Sequence, residues 1–582
     1  MSASVDAGDV KRHKWWGWGL DDVAFNWRNK PGFAPLADEK IGLDLRTMPD
    51  PVEPDLADFP VPATRLDPAH RAAIVDVVGE ANLRDDDEYR VVHSFGRSLP
   101  DLFRVRHGDF TRLVDAIVYP GDEDEVAAVL RLVIEHDLVL IPYGGGSCIS
   151  GSLTPDISEQ RPILSMNLGR MDRVLEIDDT SGLARVQAGV YGPDLEEQLN
   201  AEGWTMGHFP DSFTYSTVGG WAATRSSGMQ SDKYGDIAEI IRGMNVVRPG
   251  GTVKLRPLPS TSTGPSLREM FIGSEGRLGI ITELWVQVHR ITPSRQVIAY
   301  MFPTWEQGLD GIRQIKEAEI PTTFARISDA GETEFSLATQ KAPTSRKSEI
   351  AAKGQEALCA FMRKRGWDTQ AMCIAYVCFE GTKADVARHR KAVAGIAKAN
   401  GAIVLGSGPG ALYDQKKFDT PYLRDFLLEQ QIIGDVSETA APWSRLTAVH
   451  KAAYQAAESA FEELGLKGWI MSHMSHSYHT GACLYFTFAF PFTDENVDYE
   501  YALVKTRIQQ AFIDAGGTLS HHHGVGAEHS PWMDQDVSPE GVELLRGLFR
   551  SADPSENFNP GKIIDSPDTQ TGVLAQHRDQ QG

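Results

Sequence analysis

The sequence predicts an α+β protein of several domains. Its first half carries glycine-rich loops, and its second half an antiparallel sheet flanked by helices. Three observations carry this. The chain has 582 residues, enough for about two to four domains at ~150 residues each. Its hydrophobic fraction of 41% and charged fraction of 24% suit a globular chain with a sizeable core, which sets aside disorder, collagen and coiled coil. From Asp115 onward, short apolar runs alternate with helical periodicity and are broken by loops of Gly, Ser and Thr.

The net charge of −23 makes general binding to nucleic acid or to an anionic membrane unfavourable, so no nucleic-acid partner is expected. Cys148, Cys359, Cys373, Cys378 and Cys483 form no CxxC pair, the usage of a reduced compartment. Met1–Val10 has no basic stretch followed by an apolar run, and Arg578–Gly582 is no peroxisomal tripeptide. The longest apolar runs, Cys373–Phe379 and Cys483–Phe492, fall short of the roughly 20 residues that span a bilayer. The expectation is a cytoplasmic protein, soluble or peripheral to a membrane.

Taken in order, residues 1–110 read as a mainly helical N-terminal segment. It has a cluster of Trp15, Trp16 and Trp18, an acidic Pro-containing stretch over Pro49–Pro62, and an amphipathic helix over Asp67–Leu83. Ala116–Tyr119 reads as a buried strand ended by Pro120-Gly121. Asp122 to Glu125 put negative charge at a helix start, where the macrodipole favours it. Val126, Val129, Leu130, Val133 and Ile134 then mark one helix face. Leu138–Ile141 is a second strand, followed at once by Pro142-Tyr143-Gly144-Gly145-Gly146-Ser147. After Ile291 a second unit begins, with helices over Trp305–Glu319 and Glu349–Arg365 and strands over Met372–Glu380 and Ala482–Phe490. The expected divisions are 1–110, 111–290, 291–565 and a polar tail over 566–582.

Three successive glycines after a strand let backbone N–H groups converge on one anion, as a nest for phosphate or pyrophosphate. The spacing is neither GxGxxG nor a Walker loop. Taken alone, it suits a bare turn better than a nest. Three more small-residue loops stand near apolar runs: His208 to Ser212, Ser216 to Ser227, and Gly273 to Thr282. A long ligand with phosphates and a flat ring needs such close backbone approach.

Together, PYGGGS, STVGG and GSEGRLGIIT resemble the FAD-binding domain of the vanillyl-alcohol oxidase family. The resemblance implies a two-subdomain FAD-binding domain followed by a cap domain. It places Pro142, Tyr143, Gly144, Gly145, Gly146, Ser147 and Cys148 around the pyrophosphate. Asp211, Ser212, Ser216, Thr217, Thr224, Arg225, Ser226 and Ser227 would line the rest of the FAD, with Glu275, Gly276, Arg277, Leu278, Gly279, Ile280 and Ile281. Some members tether the flavin to a His beside the first loop. Ser147-Cys148 stands there, so the FAD is expected to be non-covalent.

The C-terminal half separates two subfamilies. FAD-linked D-2-hydroxy acid dehydrogenases carry GDGN and EHG motifs whose His and Glu hold a metal in some members. Here GDGN is missing, and Ser520-His521-His522-His523-Gly524-Val525-Gly526 puts His522 where that Glu would be. The HHHGVG form resembles the alkylglycerone-phosphate synthase family. So do Trp15-Trp16-Gly17-Trp18-Gly19, Gly207-His208, Ser262-Thr263-Gly264-Pro265, Thr439-Ala440 before Pro442-Trp443, and Gly481-Ala482-Cys483 before Tyr485-Phe486. By that resemblance Tyr485, His521, His522, His523 and Arg326 are catalytic, and Arg424 and His208 bind substrate. The implied reaction exchanges the acyl chain of acyl-dihydroxyacetone phosphate for a fatty alcohol in ether-lipid synthesis. It is redox-neutral, with N5 of oxidised FAD as the electrophile.

The residue types suit that chemistry. A neutral His can take a proton from a carbon beside a ketone. A Tyr can pass a proton to an oxygen, and an Arg fork binds phosphate. His473, His476 and His479 form H-x2-H-x2-H, but successive His so spaced on a strand fall on opposite faces, and no metal is expected. The alternative function is an FAD-linked oxidoreductase of a small hydroxy acid. Expected partners are a lipid-like phosphate ester, a fatty alcohol, a membrane surface met peripherally, and a second copy in a homodimer. The cap stretch Gln340–Ser348 is polar, where animal members of the family are more apolar.

Overall fold

The computed structural model describes residues 14–20, 23–48, 52–342, 357–416, 421–493 and 496–564. Met1–Val10, positions 343–348 of the polar cap stretch, 349–356 of the expected helix and the tail over 566–582 lie outside the described residues.

The first sheet has four strands. Ala116–Val118 and Val139–Tyr143 flank Ile163–Asn167 and run parallel to it, and Leu83–Arg84 closes one edge antiparallel. All three residues of Ala116–Val118 are buried, as a strand covered on both faces requires. Helix Glu123–Glu135 packs beside it. Its N-cap Asp122 accepts from Glu125 N, and three acids occupy its first turn. Val126, Val129, Leu130 and Val133 are buried, whereas Ile134, read as part of that face, is 40% exposed in the last turn. The helix expected over Asp67–Leu83 ends at Val78, because Gly79 turns the chain at φ 84. Leu83 then enters the sheet, so the N-terminal segment is stitched into the next domain. Between Phe33–Ile41 and Pro68–Val78 the described residues hold no α-helix, only the short turn Leu56–Asp58.

A second sheet of five antiparallel strands follows, in the order Val174–Asp178, Leu183–Gln187, Ile280–Gln287, Ile241–Arg248 and Gly251–Leu255. The second half holds a seven-stranded antiparallel sheet. Its order is Ile403–Gly406, Ser294–Phe302, Cys373–Gly381, Phe324–Ser328, Trp469–Ser477, Gly481–Pro491, Ile432–Pro442. Strand alternation gives this sheet two roles. Phe486, Phe488 and Phe490 are fully buried and join Ala325, Ile327, Ile433 and residues of helix Trp443–Leu464 in one core. The intervening Tyr485 and Thr487 point the other way and line a cavity, as do Arg326, Val436, Met471 and His473.

The last described segment returns to the first sheet. Leu140 N donates to Asn557 O, Asn559 N donates to Leu140 O, and Ile563 N donates to Gly526 O. Phe558 forms a parallel bridge with Leu140.

Candidate active site

A cavity of about 870 Å³ lies between the glycine loops and the free face of the seven-stranded sheet. Strand Val139–Tyr143 delivers the chain into the first loop, whose residues Gly144 to Cys148 all line the cavity. A Cβ on Gly145 would lie 1.9 Å from Tyr215 O, so no side chain fits between the loop and that backbone. Gly276 has φ +84, and a Cβ there would sit 2.3 Å from Pro142 Cγ. Bare backbone along a long cavity fits a ligand of the size and kind of FAD.

Most residues assigned to the cofactor line this cavity: Pro142, Tyr143, Asp211, Ser212, Ser216, Thr217, Thr224, Ser226, Ser227, Glu275, Gly276, Gly279, Ile280 and Ile281. Four residues stand behind the wall. Arg225 is the left-handed C-cap of Val218–Thr224 and pairs with Glu269 at 3.0 Å. Arg277 donates to Lys562 O, and Leu278 is buried in the core. His208, assigned to substrate, is 1% exposed, and its Nε2 lies 2.8 Å from Ser226 Oγ. Its contact with the cavity passes through Ser226. Glu275 also does more than line the wall. It accepts from Val525 N at 2.7 Å, Gly526 N at 2.9 Å and Ser152 Oγ at 2.9 Å, which ties the histidine loop to the nucleotide side.

The sheet positions the catalytic candidates. The Tyr485 ring stacks with His473 at 4.9 Å and lies 6.1 Å from His522 and 5.4 Å from His523. Burial, then the nearby acids Asp211 and Asp435, push its hydroxyl well above the usual tyrosine range, so it stays protonated. Arg326 donates from Nη2 to Glu332 Oε1 at 2.5 Å, and His473 Nδ1 lies 3.2 Å from the same oxygen. Burial opposes ionisation of Glu332, but Arg326 and His473 outweigh it and bring the acid to about 2. Arg424 meets Asp435 only at 3.8 Å, while Lys505 holds Asp435 at 3.1 Å. The Arg424 fork thus faces the cavity with its counterion already shared.

The loop His521–His523 hangs on Glu438 of strand Ile432–Pro442. The Glu438 carboxylate accepts from the backbone N–H of His521 at 2.7 Å, His522 at 3.0 Å and His523 at 3.0 Å, and from Ser520 Oγ at 2.8 Å. Burial would raise this acid, but the three histidines and the amide donors hold it well below the usual range. Glu438, Cys483, His521 and His522 bring ligand-type atoms within 4.8 Å of one another. The Glu438 oxygens are already committed to amides, and burial keeps the Cys483 thiol protonated by raising it well above 9.

The parity argument for His473 and His476 fails. The register shifts between Ser475 and Ser477, and His476 takes φ 49, so a bulge turns His476 to the same side as His473. His476 Nδ1 lies 2.8 Å from Ser231 Oγ and 2.9 Å from Ser227 Oγ. His479 is exposed and takes no part. Glu332, Glu438 and Asn559, which also borders the cavity, were not among the residues singled out, because no motif marks them.

Burial holds His208 at about 3 and His93 at about 4, and keeps His521, His523 and His476 below their ordinary range. The unfolded chain titrates these groups near 6.5. A depressed folded-state value means that the stability they contribute is complete above about pH 6.5 and is lost as the pH falls. His93 and His208 should each remove about 2 kcal/mol of stability by pH 5. The melting temperature of the FAD-loaded protein should therefore fall between pH 7 and pH 5. Equal values at both would refute neutral burial of these rings.

Residues 114–255 match the family described as FAD binding domain, and residues 291–563 that described as FAD linked oxidases, C-terminal domain. The chain is 39% identical over 483 residues to an alkyldihydroxyacetonephosphate synthase of Dictyostelium discoideum, covering 83% of this chain and 78% of that protein. It is 36% identical over 492 residues to the enzyme of that name from Trypanosoma brucei brucei, covering 84% and 80%. A solved alkyldihydroxyacetonephosphate synthase superposes with a TM-score of 0.81 at 32% identity, over 94% of this chain and 98% of the other.

Proposed function

The chain belongs to the alkyldihydroxyacetonephosphate synthase family, and from that premise we propose that it replaces the acyl chain of an acyl-dihydroxyacetone phosphate with a fatty alcohol, without net redox change. The observation that carries this reading is the convergence of Tyr485, His522, His523, Arg326 and Arg424 on the one cavity that the glycine loops border. FAD, when bound along the cavity wall from Pro142 to Cys148, would supply an electron-poor ring beside these residues. The chain's own residues bind and move protons. Arg424 grips the phosphate with its fork. Arg326 is fixed by Glu332 and stays charged. His522 takes the proton from the carbon beside the ketone. Tyr485, protonated at rest, gives its proton to the departing carboxylate oxygen and regains one from the arriving alcohol.

The cavity also has a lipid side. Phe25, Phe335, Leu337, Leu423 and Leu427 line it, and Val23 and Leu412 are exposed lining residues. An aliphatic chain suits this wall.

Purified yellow protein incubated with acyl-dihydroxyacetone phosphate and labelled hexadecanol should yield the labelled ether, with no dependence on oxygen or on an artificial electron acceptor. D-lactate, D-2-hydroxyglutarate and glycolate should leave the flavin oxidised. Arg424→Lys should raise KM by about tenfold or more while flavin content stays unchanged. Rapid flavin reduction by a hydroxy acid, with the phosphate ester inert, would overturn the proposal in favour of an oxidoreductase.

A further inference from the structure

We propose that Tyr478 and Asp236 complete a proton relay that starts at His522 in the cavity and ends at the protein surface. This rests on the reading above, in which His522 is the base. It adds what fixes the state of that base and where the proton goes.

The chain of contacts is short and unbroken. His522 Nδ1 lies 2.9 Å from His521 Nδ1. His521 Nε2 lies 2.6 Å from the Tyr478 hydroxyl. That hydroxyl donates to Asp236 Oδ2 at 2.6 Å. Asp236 is half-buried at the N-cap of the turn Ile237–Ile240, beside the exposed Glu239. Three rings and one carboxylate thus connect the cavity wall with the surface.

The anionic end decides every hydrogen along the way. A tyrosine has one proton, and Tyr478 gives it to Asp236. Its oxygen can then only accept from His521, so His521 carries its hydrogen on Nε2. The other ring nitrogen, Nδ1, is bare and accepts from His522, whose hydrogen is therefore on Nδ1. His522 Nε2 is left with an open lone pair, as a general base requires. Burial, then the Asp236 charge, raises the Tyr478 hydroxyl and keeps it a donor. Burial and the neighbouring His522 keep His521 neutral.

The transfer balances without a further reactant. His522 Nε2 takes the substrate proton and releases the one on Nδ1 to His521 Nδ1. His521 releases its Nε2 proton to the Tyr478 oxygen, and Tyr478 passes its own proton to Asp236. The Asp236 carboxyl exchanges with solvent. Each imidazole ends neutral in its other tautomer, so the histidine pair keeps no positive charge, and the electron pair of the broken C–H bond stays with the substrate. The second half of the exchange returns a proton to the same carbon and runs the chain backward, which resets it. Tyr478, Asp236 and His521 act through His522 and are positioning and relay groups.

Two measurements test this. In wild-type protein labelled with 15N-histidine, loaded with FAD and free of substrate, NMR should show His521 as the Nε2–H tautomer and His522 as Nδ1–H. Assignment would use His521→Asn and His522→Asn variants. Tyr478→Phe should keep its flavin and melting temperature, lose about tenfold or more in kcat with KM within about twofold, and regain rate on addition of imidazole. Reversed tautomers in the wild type, an unchanged kcat in Tyr478→Phe, a loss that imidazole does not restore, or one tightly bound metal ion per chain at His521 and His522 would each overturn the relay. A wild type that makes no ether would instead overturn the functional reading, and the tautomers would still decide the relay.

Discussion

Gly145→Asp should yield a folded but colourless protein. A Cβ at this position would lie 1.9 Å from Tyr215 O and 2.9 Å from Ser216 Cα. Those atoms are backbone and cannot swing aside, so the loop itself must move. The carboxylate also adds a negative charge to the loop proposed to hold the pyrophosphate. Displacement and repulsion together should cost more than ~3 kcal/mol of cofactor binding, about a hundredfold or more in affinity. The check is flavin absorbance after gel filtration, with circular dichroism to establish the fold. Stoichiometric FAD in this variant would remove the loop from the pyrophosphate site. Wild-type protein precipitated in acid should release its FAD to the supernatant, and yellow colour retained in the pellet would reveal a covalent bond.

The second large effect falls on turnover. His522→Ala and Tyr485→Phe should each keep FAD and the fold but lose about 10²–10⁴-fold in kcat, the range for a positioned acid or base. Their rings lie 6.1 Å apart at an angle of 19°, so one substrate can meet both. The two losses should fall short of additive, because the groups serve one proton balance. Glu438→Gln offers a contrast. It keeps the shape of the side chain but replaces one acceptor oxygen with a donor amide facing backbone N–H groups. It should disturb the chemistry of His522 through the loop that Glu438 holds, while Tyr485 keeps its place on the strand. Wild-type kcat in His522→Ala would place the base elsewhere.

Much of this was legible from local pattern. Successive glycines after a strand, a helix face at Val126, Val129, Leu130 and Val133, and alternation around Phe486 each follow from neighbours in sequence. The histidine loop was legible as a motif. What holds it was not. Glu438 lies 83 residues from His521 in sequence, and Tyr478 meets Asp236 across 242. No spacing encodes such partners, and an acid on an apolar strand gives no sign of which amides it will accept. The His476 bulge was hidden for another reason. Period-two reasoning assumes a regular strand, and one residue at positive φ reverses the face of all that follow. The place of His208 behind the wall was not legible, because a motif marks a neighbourhood, whereas one hydrogen bond to Ser226 decides which side the ring occupies.

The closing segment around Asn557 has a consequence for biosynthesis. Asn557 Nδ2 donates to Leu138 O across 419 residues of chain, and Lys562 Nζ donates to Thr154 O across 408. The strand that feeds the glycine loop therefore stays without its last neighbour while the whole cap domain is being translated. At ~5–20 residues per second that interval is roughly 20–80 s. A nascent chain must pass it with the apolar edge at Leu140 uncovered, within reach of chaperones.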